Sequence, residues 1–217
     1  MLAPPLCRRC SRPLTAASVH PDFICLDCRT RRSPVDRTIA LWSYESPVDA
    51  VIRGLKFAGF LHLARPLGHC LAERIRVGRE RHDCVAHVPL HWRRRLVRGY
   101  DQAEELAKQT ARALASEFVR PLRRRRSTRP QSRLAKPERT SNVAAAFSAR
   151  AGAAVRGRRV LLIDDVMTSG ATLRAAATIL KRLGARSVTA AVIARTPEPR
   201  RSRARPKGPA VAASRHL

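Results

Sequence analysis

Three observations in the 217 residues predict an α/β fold, a mainly parallel sheet flanked by helices with a small module at its N-terminus. The first is alternation. Short apolar or aromatic runs at 37–44, 84–89, 160–163 and 187–194 are separated by segments whose apolar residues recur every three or four positions. The second is a strand-to-helix junction of carboxylates, hydroxyls and glycine between Val160 and Leu173. The third is a pair of Cys-x-x-Cys knuckles close to the N-terminus. The length leaves room for one α/β domain and a small appendage, and 44% hydrophobic residues suffice for a core.

The appendage comes first, over residues 1–33. Cys7-x-x-Cys10 and Cys25-x-x-Cys28 each put two thiolates on a tight turn, and four thiolates complete a tetrahedral site suited to structural Zn²⁺. An iron–sulfur site and two redox pairs are the alternatives. Arg8, Arg9, Arg12 and Arg29 would offset the anionic sulfur cluster. Cys70 and Cys84 lie in apolar surroundings and read as buried small hydrophobes.

The main domain is expected over residues 34–197. Arg37–Tyr44 alternates like a strand. Ser46 then reads as an N-cap, with Pro47 in the first turn and Asp49 near the positive dipole end. That helix carries Val51, Ile52, Leu55 and Phe57 and stops near Gly59, and a second runs from about Arg65 to Val77. Cys84–Pro89 is a strand ending in a basic loop, His91–Gln102. At the carboxyl end of a strand such a loop is placed for an anionic ligand, and guanidinium groups clamp pyrophosphate bidentately. Arg94, Arg98 and Gln102 are the candidate contacts, a solvated basic face being the alternative. A helix is expected from about Ala103 to Phe118, with Asp101 and Glu104 at capping-box spacing. Residues 122–142 are basic, nearly without apolar side chains, and read as a long loop that is either a lid or disordered. Ser187–Ala194 is the next strand, parallel to the one before it, and residues 198–217 form a disordered basic tail.

The chemistry concentrates in Val160–Leu173, VLLIDDVMTSGATL. Val160–Ile163 reads as a buried strand that Asp164 and Asp165 end. Thr168, Ser169, Gly170, Ala171 and Thr172 then lead into an apolar-periodic helix that stops at Gly184. A helix N-terminus after small, hydroxylated residues is an anion cradle, because its unpaired N–H groups point at whatever sits there. Two carboxylates beside a phosphate are unfavourable unless they hold something else, such as a sugar diol or a divalent cation. No Walker A sequence and no GxGxxG appears.

This stretch resembles the phosphoribosyl pyrophosphate (PRPP) motif of type I phosphoribosyltransferases. The resemblance implies that fold, with Asp164 and Asp165 on the ribose hydroxyls, Thr168 to Thr172 on the 5′-phosphate, and Mg²⁺ accompanying PRPP. A wider pattern resembles the ComF family. It comprises the four-cysteine ribbon, Val88-Pro89, a basic run, Arg98-Gly99-Tyr100-Asp101-Gln102 before an Ala/Leu helix, and the segment with Thr128–Ser132, Arg139, Asn142 and Phe147. Asp101 stands where that family has Asn, and Phe60 where it commonly has an acid. The resemblance implies one of three roles. The chain transfers phosphoribosyl from PRPP to an unknown acceptor, handles incoming single-stranded DNA beside competence proteins without catalysis, or senses PRPP as a regulator. No residue stands out as a general base, so no catalytic residue is assigned.

The formal net charge is +28. Such an excess favours polyanions, or reflects an Ala- and Arg-rich composition. No run of about 18 apolar residues exists and MLAPPLCRRC lacks a signal-peptide core, so neither a membrane span nor secretion is expected and a cytoplasmic location is.

Overall fold

The computed structural model describes residues 2, 5–14, 23–125 and 146–197. Four parallel strands form the sheet: β1 (Arg37–Ser43), β2 (Cys84–His87), β5 (Arg159–Met167) and β6 (Ser187–Arg195), in the order β1-β6-β5-β2. The central pair is the most apolar. Val160–Ile163 and Val188–Ala194 are buried on both faces apart from the slightly exposed Thr189, as expected for parallel strands covered on each side.

Alternation along β5 divides two cores. Val160 and Leu162 pack with Leu122 and Phe147 and with Leu173, Ala176 and Leu180 of helix α6 (Ala171–Arg182). Leu161 and Ile163 pack on the other face against three helices, α2 (Val48–Phe57), α3 (Ala64–Val77) and α5 (Gln102–Leu114). Deleting most of a fully buried side chain such as Ile163 costs about 2–5 kcal/mol.

The sequence expectations need five adjustments. β5 does not end at Asp164 but continues to Met167, because β6 runs alongside it and pairs Val166 with Ala194 and Met167 with Arg195. Pro47, not Ser46, is the N-cap of α2, and it follows a cis Ser46–Pro47 bond. The basic run after β2 is a helix, α4 (Trp92–Arg98), rather than a loop. The His91 ring accepts the Arg93 N–H at its start, and Gly99, at φ +79°, ends it. α5 stops at Leu114, and Phe118 instead bridges β2 at Val85. The segment beginning at Leu122 opens as a strand, β3 (Leu122–Arg124), paired antiparallel with β4 (Phe147–Ala149). The rest of the expected loop, 126–142, and the tail, 198–217, lie outside the described residues.

The cysteine module, with its short helix α1 (Leu26–Thr30), has a separate small core of Cys7, Leu14 and Cys25. It docks on the open edge of the sheet. The Ser11 hydroxyl donates to Thr38 O at 2.6 Å and accepts from Ala40 N–H at 3.2 Å, satisfying two backbone groups of β1.

Candidate functional site

On one side of β5 the sheet stops early. β2 ends at His87, opposite Ile163, while β5 runs four residues further, so Asp164–Met167 border an open crevice at the carboxyl edge. In an extended strand neighbouring side chains point to opposite faces, and the two carboxylates therefore meet different environments.

Asp165 faces α2 and α5. It is almost fully buried and accepts from Lys56 Nζ at 3.1 Å and Gln102 Nε2 at 2.8 Å. Gln102 in turn accepts from Arg98 at 3.1 Å, and the Arg98 guanidinium lies 4.7 Å above the Phe57 ring. Tyr100 fixes the end of α2, its hydroxyl donating to Leu55 O at 3.0 Å and accepting from Gly59 N–H at 3.2 Å. Phe57, Gly59 and Tyr100 border a cavity of about 570 Å³ to which Lys56, Arg93, Arg94 and Arg98 contribute and, among the described residues, no carboxylate does.

Asp164 faces the β3–β4 side and is only half-buried. Its carboxylate accepts the Asp165 N–H at 2.9 Å. Burial, followed by the charge of Asp165, pushes its pKa up to about 8. Arg124 of β3, itself lowered by burial and by the charge of Arg94, is close enough to feel the Asp164 charge.

The turn after β5 has exposed Thr168 and Ser169 and a buried Gly170 at φ +72°. No side chain makes a good cap for α6, the nearest being Ser169 Oγ, 3.4 Å from Ala171 N–H. Gly170 is the one position here where a left-handed backbone is required, and a Cβ would also press on Arg174 at 3.1 Å. Ala171 and Thr172 form the first turn, whose N–H groups have no intrahelical acceptor. The structure thus brings Asp164, Asp165 and Thr168–Thr172 to one edge, with Arg98 and Gln102 joined to Asp165 and Arg94 at the adjoining cavity wall.

The sequence model of the phosphoribosyl transferase domain matches residues 101–209. Across 197 residues the chain is 30% identical to the DNA utilization protein YhgH of Escherichia coli K12, covering 88% of this chain and 84% of that one. With Competence protein F of Haemophilus influenzae it shares 29% over 191 residues, covering 85% and 82%. The chain belongs to the ComF/YhgH family. Among solved structures, the glutamine PRPP amidotransferase of B. subtilis is 26% identical, with a TM-score of 0.42 over 59% of this ComF-family chain. The match spans about a quarter of the amidotransferase's length.

The sequence of this ComF/YhgH protein left several residues unassigned. Lys56 holds Asp165 from a helix more than a hundred positions upstream, and its only local signal was the neighbouring Gly59. Arg124, on β3 where it pairs with β4, lies close enough to feel the Asp164 charge. Asp101 caps α5 by accepting Ala103 and Glu104 N–H at 3.1 and 3.2 Å, and its second oxygen accepts Leu90 N–H at 2.7 Å. The reciprocal half of the expected capping box is replaced, since Arg120 takes the Glu104 carboxylate at 2.6 Å.

The cysteine module of this family member fits a metal. The four Sγ atoms lie within 4.8 Å of one another, and Cys10 and Cys25 are 3.8 Å apart. Four sulfurs each ~2.3 Å from a tetrahedral Zn²⁺ stand about 3.8 Å from one another. The cluster also shares protons unevenly. Hydrogen bonds from Cys10 and Cys28 hold Cys7 far below the usual thiol range, while Cys10 and Cys7 push Cys28 far above it. A divalent cation replaces those shared protons.

Proposed function

We propose that this ComF-family protein binds PRPP at the β5–α6 junction. One observation carries the reading: a sidechain-uncapped helix N-terminus after Gly170 sits at the same crevice as two carboxylates with different partners. The turn Thr168–Thr172 would take the 5′-phosphate through backbone N–H groups and hydroxyls. Asp164 would accept from a ribose hydroxyl. Asp165, already held by Lys56 and Gln102, would keep that edge rigid while its remaining lone pairs meet the second hydroxyl. Two carboxylates on opposite faces of one strand make no cage for a cation, so Mg²⁺ would arrive largely through the diphosphate oxygens of PRPP. Arg94, with Arg98 and Lys56, would face the departing pyrophosphate from the 570 Å³ cavity.

If turnover occurs, it is phosphoribosyl transfer. The bond from ribose C1 to pyrophosphate breaks, the acceptor's lone pair forms the new bond, and the cationic wall stabilises the leaving charge. The module of residues 1–33 would be a structural zinc ribbon, supported by its sulfur spacing and separate core. Residues 34–197 would be the phosphoribosyltransferase-like domain and 198–217 a tail. A metabolite ligand of this kind belongs to the cytoplasm, and among the described residues no helix is long and apolar enough to cross a membrane.

Calorimetry with PRPP and Mg²⁺ tests this. One binding site is expected in the wild type, lost in a folded Asp164→Asn variant. A zinc-loaded wild type that takes up no PRPP overturns the reading. Pyrophosphate release across an acceptor panel then separates enzyme from PRPP sensor. A second reading, handling of single-stranded DNA, draws on the names of the relatives and the +28 charge. It predicts an affinity for oligonucleotides that falls steeply with salt.

A further inference from the structure

A second cavity, of about 490 Å³, lies between the cysteine module and the turn that follows β5. Its wall comes from both parts of the chain. Arg9, Arg12, Arg31 and Arg32 come from the module and the link after it, and Arg174 and Arg195 from α6 and β6. Thr168, Ser169 and Gly170 close the third side.

The charge here is out of balance. Among the described residues Asp27 is the only carboxylate in the wall, and it is paired with Arg12 at 2.7 Å. Arg9, Arg31, Arg32 and Arg174 form no ion pair with a carboxylate among the described residues, and these four guanidinium groups outnumber the about two negative charges that a zinc tetrathiolate, reached through Cys10 and Cys28, would add. Arg174 is pulled below its ordinary range by burial and then by the like charge of Arg31. Two guanidinium groups are already aimed by the backbone, Arg9 donating to Cys28 O and Arg174 to Ser169 O, each at 2.8 Å. A guanidinium has five N–H donors, so one such bond orients the fork and leaves donors for an anion.

We infer that this cavity is a second anion site, taking a compact polyphosphate. It lies on the module side of the turn, is reached without Asp164 or Asp165, and does not depend on the PRPP reading. A volume of about 490 Å³ suits a compact ligand better than a continuous strand. A ligand there would touch Ser169 and Arg174, and so the same turn proposed to hold the ribose 5′-phosphate.

The test is calorimetry of the full-length, zinc-loaded protein with tripolyphosphate at physiological salt. Four proteins are compared: wild type, Arg31→Ala/Arg32→Ala, Asp164→Asn, and Arg150→Ala/Arg156→Ala, which removes two exposed arginines elsewhere. One site is expected, weakened about tenfold or more in the Arg31/Arg32 variant and unchanged in the other two. Equal weakening by both arginine pairs would make the binding a property of net charge and overturn the site. Displacement of tripolyphosphate by PRPP, with the tripolyphosphate affinity unchanged in Arg31→Ala/Arg32→Ala, would move the polyphosphate to the β5–α6 crevice, also overturning it. A 20-mer of single-stranded DNA that displaces tripolyphosphate and depends more steeply on Arg31 and Arg32 would overturn the compact ligand in favour of a strand.

Discussion

Asp164 and Asp165 are adjacent in the chain, identical in chemistry and opposite in circumstance. Asp165 is almost fully buried between Lys56 and Gln102, so its charge is matched within the fold. Asp164 is more open, yet its carboxyl is pushed up to about 8, since burial and its neighbour's charge outweigh the single backbone N–H it accepts. The difference follows from strand geometry, which sends consecutive side chains to opposite faces. One carboxylate is therefore part of the scaffold, and the other holds its proton against its neighbour's charge.

The largest expected effect is on the scaffold side. Asp165→Ala leaves Lys56 and Gln102 facing a buried void, and losing one partner of a buried ion pair costs about 3–5 kcal/mol, read as a lower urea midpoint. Lys56→Met is gentler, because Gln102 still bonds Asp165. A loss of about 1–3 kcal/mol is expected, and a change under a few tenths would mean the pair is not formed in solution. Asp101→Asn restores the family's usual residue but offers one acceptor where Asp101 uses two. Either the α5 cap or the Leu90 N–H loses its partner, for about 1 kcal/mol in the same denaturation series.

Asp164→Asn should move the other way. A carboxyl whose folded pKa is raised keeps its proton while the unfolded chain has lost it. Stability therefore falls as pH rises from about 4 to about 8 and levels off beyond. The variant lacks that group, so its stability profile should be flatter and cross above the wild type toward pH 8. Parallel profiles for the two proteins would show that Asp164 is ionised at no cost, and the contrast with Asp165 would collapse.

The parts of the site that were legible in the sequence are contiguous. Asp164 to Thr172 states its chemistry in nine residues, and the four cysteines do so in two short knuckles. What could not be read is what the fold brings from afar. Lys56 meets Asp165 across α2 and β5, and Arg124 comes within range of the Asp164 charge from β3, which pairs with β4. The basic run Trp92–Arg98 was misread as a loop because only three of its residues are apolar, too few for a buried stripe. It is helical because His91 and Gly99 cap both ends and its arginines are good helix formers. β5 outran its apolar stretch for a similar reason, since ladder bonds to β6 rather than side-chain burial carry it past the carboxylates.

The bonds from Ser11 to β1 would give a metal held by the four cysteines a further duty. An exposed edge strand in a parallel sheet is a template on which another chain can polymerise, and here the Ser11 hydroxyl beside a cysteine knuckle covers part of it, with the Leu2 N–H donating to Leu41 O at 2.7 Å. Loss of the metal would then be felt as lost solubility, with molecules adding to one another edge to edge.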